Sequence, residues 1–168
     1  MIITIDNFLG KSLNNYVQWN IQKQLYHSHS SSFGAPGHFL ATLDPKPAGK
    51  LYDYIGDAII DIPQINVARI IRSYINLHPP GEFCAGKYHT DDGNITALYY
   101  PCDWETPQEG GTNFKDKITI EYVKDRLILF NADYPHKADP HYSNSFRYTI
   151  AYKLEATWNM INEDSTNN

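Results

Sequence analysis

Cysteine is nearly absent: Cys84 and Cys102 are the only two among 168 residues. A framework of several disulfides is therefore excluded, and without a signal-peptide pattern the expectation is two reduced thiols in a cytoplasmic protein. Long apolar runs are missing too. The opening "MIITIDNFLG" has no basic flank and too short an apolar stretch to target or span a bilayer, so no membrane partner is expected. Positive charge is scarce. Fourteen Lys and Arg face nineteen Asp and Glu, for a net charge of −5, which argues against a nucleic-acid partner, since such a surface needs a basic face. There is no internal repeat and no long block of like charge.

What the chain does have is an ordinary globular balance, 42% hydrophobic and 20% charged, and enough length for one domain with a sizeable core. Its 13 tyrosines favour a β-rich fold, because aromatic side chains pack well on pleated surfaces. "MIITID" reads as a short strand. From Ser12 to Tyr26 apolar residues recur at helical spacing (Leu13, Tyr16, Val17, Ile21, Leu25), with Ser12 placed to cap the helix. "HSHSSSFGAPGHFLATLDPKPAG" is rich in Ser, Gly and Pro and reads as a long loop, with His27 and His29 solvated. A second helix is expected over 50–60, with Leu51, Tyr54, Ile55, Ala58 and Ile59 facing inward.

Beyond Pro63 the pattern becomes that of strands: 65–78, 94–101, 117–123, 126–132 and 146–154. Tyr74, Asn76 and His78 share one face of the first. The order of elements gives an α+β domain: a helical part over about 1–62, a sandwich or jelly-roll β-core over about 65–155, and a frayed tail over about 160–168.

Within the β-part stands "YHTDDG" (88–93). His-x-Asp on an extended segment puts His89 and Asp91 on one face, with Asp92 turned away. A third ligand has to come from elsewhere, and His136 follows the apolar strand "RLILFNA" directly; His141, the competitor, sits further past the strand end. Two imidazoles and a carboxylate are the ligand set of non-haem Fe(II) oxygenases, which leave one side of the metal open for a cosubstrate and O2. Eleven residues on, Arg147 opens a core strand, where a guanidinium is costly unless it meets an anion such as a carboxylate. "EGGTNF" (109–114) is a Gly-Gly turn able to bring backbone close to a ligand.

In this combination "YHTDDGNITALYYPCDWETPQEGGTNF" and "DRLILFNADYPHKADPHYSNSFRYTIAYKL" resemble the double-stranded β-helix core of the Fe(II)/2-oxoglutarate-dependent oxygenases, in particular the prolyl hydroxylases, including those that modify hypoxia-inducible factor. "ITIDNFLGKSLNN" is similar to the start of those catalytic domains. The resemblance implies a jelly-roll core with N-terminal helices packed on one sheet. It implies Fe(II) on His89, Asp91 and His136, and 2-oxoglutarate gripped at its far carboxylate by Arg147 and Tyr100, with Tyr99 facing away. His78 stands where the family has a tyrosine, and Tyr74 on the same face is a substitute for it. Ascorbate is a candidate reductant for the iron. The implied reaction hydroxylates proline in a protein or peptide, consuming O2 and releasing succinate and CO2. The alternatives are an oxygenase acting on a small molecule, an iron dioxygenase that uses no 2-oxoglutarate, and a non-enzymatic metal- or ligand-binding module. Substrate contacts are expected from 28–47, 79–88 and 102–110, with Trp104 on the rim.

Overall fold

The computed structural model describes residues 1–30, 36–42, 50–81, 87–106 and 109–159. Strands β1 (Ile2–Ile5), β2 (His27–Ser30), β3 (Pro36–Thr42), β4 (Ile65–His78), β5 (Ile95–Tyr100), β8 (Arg126–Asn131) and β10 (Arg147–Trp158) form one sheet in the order β1-β8-β5-β10-β4-β3-β2. A second sheet has the order β7-β6-β9, from β6 (Thr112–Phe114), β7 (Thr119–Ile120) and β9 (His136–Ala138). The described pairings are antiparallel. The helices are α1 (Gly10–Ile21) and α2 (Lys50–Ile60). No described helix is long and apolar enough to cross a membrane.

Strand alternation explains the layering. The central strands are apolar on both sides because both faces are covered. Ala97, Tyr99, Leu127, Leu129, Ile150, Tyr152 and Leu154 join Val17 and Ile21 of α1 and Leu51, Ile55 and Ile59 of α2 in one apolar cluster. Leu98, Tyr100, Ile128, Phe130 and Ala151, one residue out of step, join Phe114 and Tyr122 in a second. The helices thus pack on one face of the large sheet, and the small sheet covers the other. Leu51, Ile55 and Ile59 are each at most 1% exposed, and burial of each such side chain contributes about 1.5–3 kcal/mol.

Several expectations need correction. Helix α1 stops at Ile21, not Tyr26, and Leu25 is 92% exposed. Ser12 lies inside α1 instead of capping it; the Leu9 N–H donates to the Asp125 carboxylate at 3.0 Å, a cap supplied by a turn far away in sequence. Asp125 also accepts from the Tyr99 hydroxyl at 2.8 Å, and Asn14 of α1 donates to that hydroxyl. Tyr54 is 41% exposed instead of inward. The Ser/Gly/Pro-rich stretch is not simply loop: β2 and β3 pair with each other, and β3 extends the large sheet beside β4. Residues 31–35 and 43–49 of that stretch lie outside the described residues, as do 82–86 with Cys84, 107–108 and the tail from 160. Of 117–123 only Thr119–Ile120 is strand, and β6 and β9 were not foreseen. Cys102 is a free thiol, which burial pushes up to about 12.

Candidate functional site

The site lies between the two sheets, where the inward rows of β4, β5 and β10 face β6 and β9. Residues 87–91 are not a regular strand; His89 forms an isolated bridge to His136, its N–H donating to the His136 carbonyl at 3.0 Å and its carbonyl accepting from the His136 N–H at 2.9 Å. The Asp91 N–H donates to the Ala132 carbonyl at 2.8 Å. The turn behind it requires Gly93, at φ +85, where a Cβ would collide with the Leu154 carbonyl. These backbone ties bring His89, Asp91 and His136 together, with one donor atom from each lying within 4.8 Å of the others.

The orientation of the imidazoles suits a metal. The Nδ1 of His89 lies 3.0 Å from the Lys87 carbonyl, and that of His136 lies 2.9 Å from the Tyr134 carbonyl. A carbonyl only accepts, so each Nδ1 carries a hydrogen, which leaves Nε2 as the nitrogen each ring can offer to a metal. Both Nε2 atoms face Asp91, at 3.9 Å for His89 and 3.4 Å for His136. Phe114 and Phe130 pack against the His136 ring, and burial pushes this imidazole down to about 4, against the pull of Asp91. It is neutral at physiological pH, as a ligand must be. Burial also pushes the Asp91 carboxyl up, but Lys153, His136 and Thr96 together hold it below its ordinary value. The His89 side chain is 52% exposed while those of Asp91 and His136 are nearly buried, so the cluster opens to solvent on the His89 side.

Arg147 lies at the start of β10, opposite His78 of β4, and is 2% exposed. Its Nε donates to the Gly110 carbonyl, its Nη2 to the Gly111 carbonyl at 3.3 Å, and its Nη1 lies 3.3 Å from His78 Nδ1. A guanidinium has no acceptor, so His78 accepts there and is neutral. The guanidinium also lies 5.7 Å from the Tyr100 ring centre and 5.6 Å from that of Tyr122. All of these partners are neutral, and among the described residues no carboxylate forms an ion pair with Arg147. The Gly-Gly turn earns its place here. Gly110 sits at φ +69 with no room for a side chain beside Trp104, and its carbonyl holds the guanidinium. Tyr100 shares a 2.6 Å hydrogen bond with Thr112, and burial keeps its phenol protonated, against the pull of Arg147. Tyr99 points the other way, to the helix side.

Tyr74 lies four pairs along from His78, opposite Ala151, with its ring 5.3 Å from the Lys153 ammonium. It therefore stands nearer the His-Asp-His cluster than the guanidinium does. His141 is not with the cluster; it is fully buried against Trp104, with Nε2 3.2 Å from the His78 carbonyl. Asp92 turns outward to Arg72. Two contributors went unnoticed in the sequence, Thr96 and Lys153, which both donate to Asp91 Oδ2. Their signal was parity: Lys153 is six residues from Arg147 and so on the same face of β10.

No family model and no curated protein matches the chain. Solved structures do. A prolyl hydroxylase from Trichoplax adhaerens, in complex with a hypoxia-inducible-factor oxygen-degradation-domain peptide, superposes with a TM-score of 0.72 at 18% identity, over 91% of this chain and 82% of that one. The chain has the fold of the 2-oxoglutarate-dependent oxygenases. A viral collagen prolyl hydroxylase from Paramecium bursaria Chlorella virus-1, in complex with 2-oxoglutarate, gives 0.65 at 16% identity, over 94% and 93% of the two chains. HygX from Streptomyces hygroscopicus, with nickel, 2-oxoglutarate and hygromycin B bound, gives 0.64 at 11%, over 90% and 81%. This oxygenase fold agrees with the α+β, mainly antiparallel architecture expected from the sequence.

Proposed function

We propose that this chain is an Fe(II)- and 2-oxoglutarate-dependent dioxygenase, built on a double-stranded β-helix, that hydroxylates proline in a protein or peptide. The observation that carries the reading is the buried guanidinium of Arg147, hydrogen-bonded to neutral groups and ion-paired to no carboxylate among the described residues, at the far end of an inter-sheet space from a His-Asp-His cluster. A buried cation without a counter-ion is unfavourable, and a bidentate carboxylate is the anion its fork fits. From Gly111, which contacts Arg147, to Phe114, paired with His136, β6 runs three residues, or about 10 Å. That is the span of a short dicarboxylate with a coordinate bond at one end and a hydrogen bond at the other.

His89 Nε2, His136 Nε2 and an oxygen of Asp91 would hold the iron. Fe(II) with 2-oxoglutarate supplies the oxidising chemistry, consuming O2 and releasing succinate and CO2. The rest is positioning. Carbonyls of Lys87 and Tyr134 fix the imidazole tautomers, and Arg147 with Tyr100 orients the distal carboxylate. His78 and Tyr74 line the same space. Phe114, Phe130 and Tyr122 keep water away, which strengthens every electrostatic contact there. The half-exposed His89 side is where a substrate enters.

Proline in a peptide is favoured by the likeness to two prolyl hydroxylases, one of them peptide-bound. The likeness to HygX supports the second reading, a small-molecule substrate. The test is succinate release by the purified chain with Fe(II), 2-oxoglutarate and O2, with and without a pool of proline-rich peptides. Succinate that rises with peptide and disappears in His136→Ala is expected. Succinate indifferent to peptides favours the small molecule. Failure to bind Fe(II) and 2-oxoglutarate anaerobically overturns the enzyme reading.

A further inference from the structure

Strand β10 carries two cations into the space between the sheets, and the reading above gives a role to Arg147 alone. Lys153 lies opposite Arg72 of β4 and Thr96 of β5. Its side chain is 3% exposed, and its ammonium is bonded to Asp91 Oδ2. The same oxygen accepts from Thr96 at 2.7 Å and lies 3.4 Å from His136 Nε2. The Tyr74 ring stands 5.3 Å from the ammonium. Other described lysine and arginine ion pairs, such as Arg69–Glu155 and Arg72–Asp92, are substantially exposed, where water and salt screen them. The charge of Lys153 has no such screen, and it is bonded to the single carboxylate of the His-Asp-His cluster.

A buried charge acts on any change of charge beside it. An iron held by His89, Asp91 and His136 has two accessible states, Fe(II) and Fe(III), which differ by one electron given to or taken from an external carrier. The protein's own charges, Arg147 included, are the same in both states. The added positive charge of Fe(III) is repelled by the ammonium in this nearly dry space, so a constant charge on Lys153 weighs against Fe(III) and favours Fe(II). The ammonium is bonded to the ligating side chain itself, and it faces the metal's charge whichever Asp91 oxygen is the ligand. Its hydrogen bond also draws negative charge from that carboxylate, which acts in the same direction; hydrogen bonds to a ligand are among the levers on a metal's reduction potential.

We propose that Lys153 is a positioning residue that, through Asp91, poises the iron toward Fe(II), the state from which the proposed reaction starts, and lessens the need for an external reductant such as ascorbate. This rests on the metal reading above. The experiment is a mediated redox titration of the iron-loaded full chain, without O2 or 2-oxoglutarate, followed by the electron paramagnetic resonance signal of Fe(III). It is run on the native protein, Lys153→Met, Lys153→Gln and Lys153→Arg. Lys153→Gln keeps a donor for Oδ2 without the charge, so it also serves should the methionine variant fail to fold. The midpoint potential reads the ratio of Fe(III) to Fe(II) affinity. That ratio is expected to shift toward Fe(III) at least tenfold in the Met and Gln variants, a fall of about 59 mV or more for one electron, and to stay near native in Lys153→Arg. An unchanged or higher midpoint in the Gln variant overturns the role of Lys153 and leaves the enzyme reading standing. A fall in Lys153→Arg as large as that in the Gln variant overturns charge as its cause. A native chain that binds no Fe(II) overturns the metal reading itself.

Discussion

Replacing Arg147 with methionine keeps an unbranched side chain in the pocket but removes the guanidinium, and the structure separates two consequences. The first is structural. The Gly110 carbonyl loses the Arg147 donor, the Gly111 carbonyl keeps the Asp139 N–H, and His78 Nδ1 loses the group it faces. Buried acceptors left unpaired cost about 1–3 kcal/mol each, offset in part because the variant no longer buries a cation among neutral partners. A net loss of about 1–3 kcal/mol is expected, read as a lower midpoint in urea unfolding. The second consequence concerns the ligand. A carboxylate that has lost a buried guanidinium partner loses about 3 kcal/mol, or about two orders of magnitude in dissociation constant. The assay is titration of 2-oxoglutarate into the anaerobic Co(II)-loaded chain, which needs no knowledge of the substrate. Co(II) itself should bind Arg147→Met in the absence of 2-oxoglutarate within a few-fold of the native affinity, because the triad makes no contact with Arg147. A folded variant that binds 2-oxoglutarate with native affinity would refute the assignment of Arg147 to the cosubstrate.

Asp91→Ala should abolish Co(II) binding and turnover. It should also destabilise the metal-free chain by about 3–5 kcal/mol, because the buried Lys153 ammonium is left alone; unfolding in the presence of a chelator measures it. Gly93→Ala should cost about 2 kcal/mol or more, since the residue combines a left-handed backbone with a collision at Leu154, and Co(II) affinity should fall with it. Tyr99→Phe should cost about 1–2 kcal/mol, because Asp125 and Asn14 lose a shared partner on the helix side. Co(II) and 2-oxoglutarate affinities of this variant should stay native.

The His-Asp-His cluster and Arg147 were legible because their parts are short-range signals, a His-x-Asp and a histidine and an arginine beside apolar strands. The strands with two buried faces were legible as apolar runs. The β2–β3 pair was not, because its Ser-, Gly- and Pro-rich sequence is strand-like only through pairing with β4, which is tertiary. Three-residue strands such as β6 and β9 are too short to show a period. The end of α1 was overshot because Leu25 continues the helical spacing yet meets no partner. Lys153 was passed over because a lysine within "RYTIAYKL" reads as an outward residue, and only its parity with Arg147 shows that it points inward.

Strand β1 pairs with β8, with Ile2 opposite Phe130 and Ile5 opposite Leu127. The partners are separated by more than 120 positions, so during synthesis at about 5–20 residues per second β1 waits roughly 6–25 s before its neighbour exists. The same delay governs the space between the sheets, whose groups are drawn from 89–91, 136 and 147. None of it can assemble until β10, the last described strand, has left the ribosome and slotted between β4 and β5. Nascent chains stalled before residue 147 will therefore carry an apolar, half-built sheet with an open central gap, a form that chaperones recognise and that binds no cosubstrate.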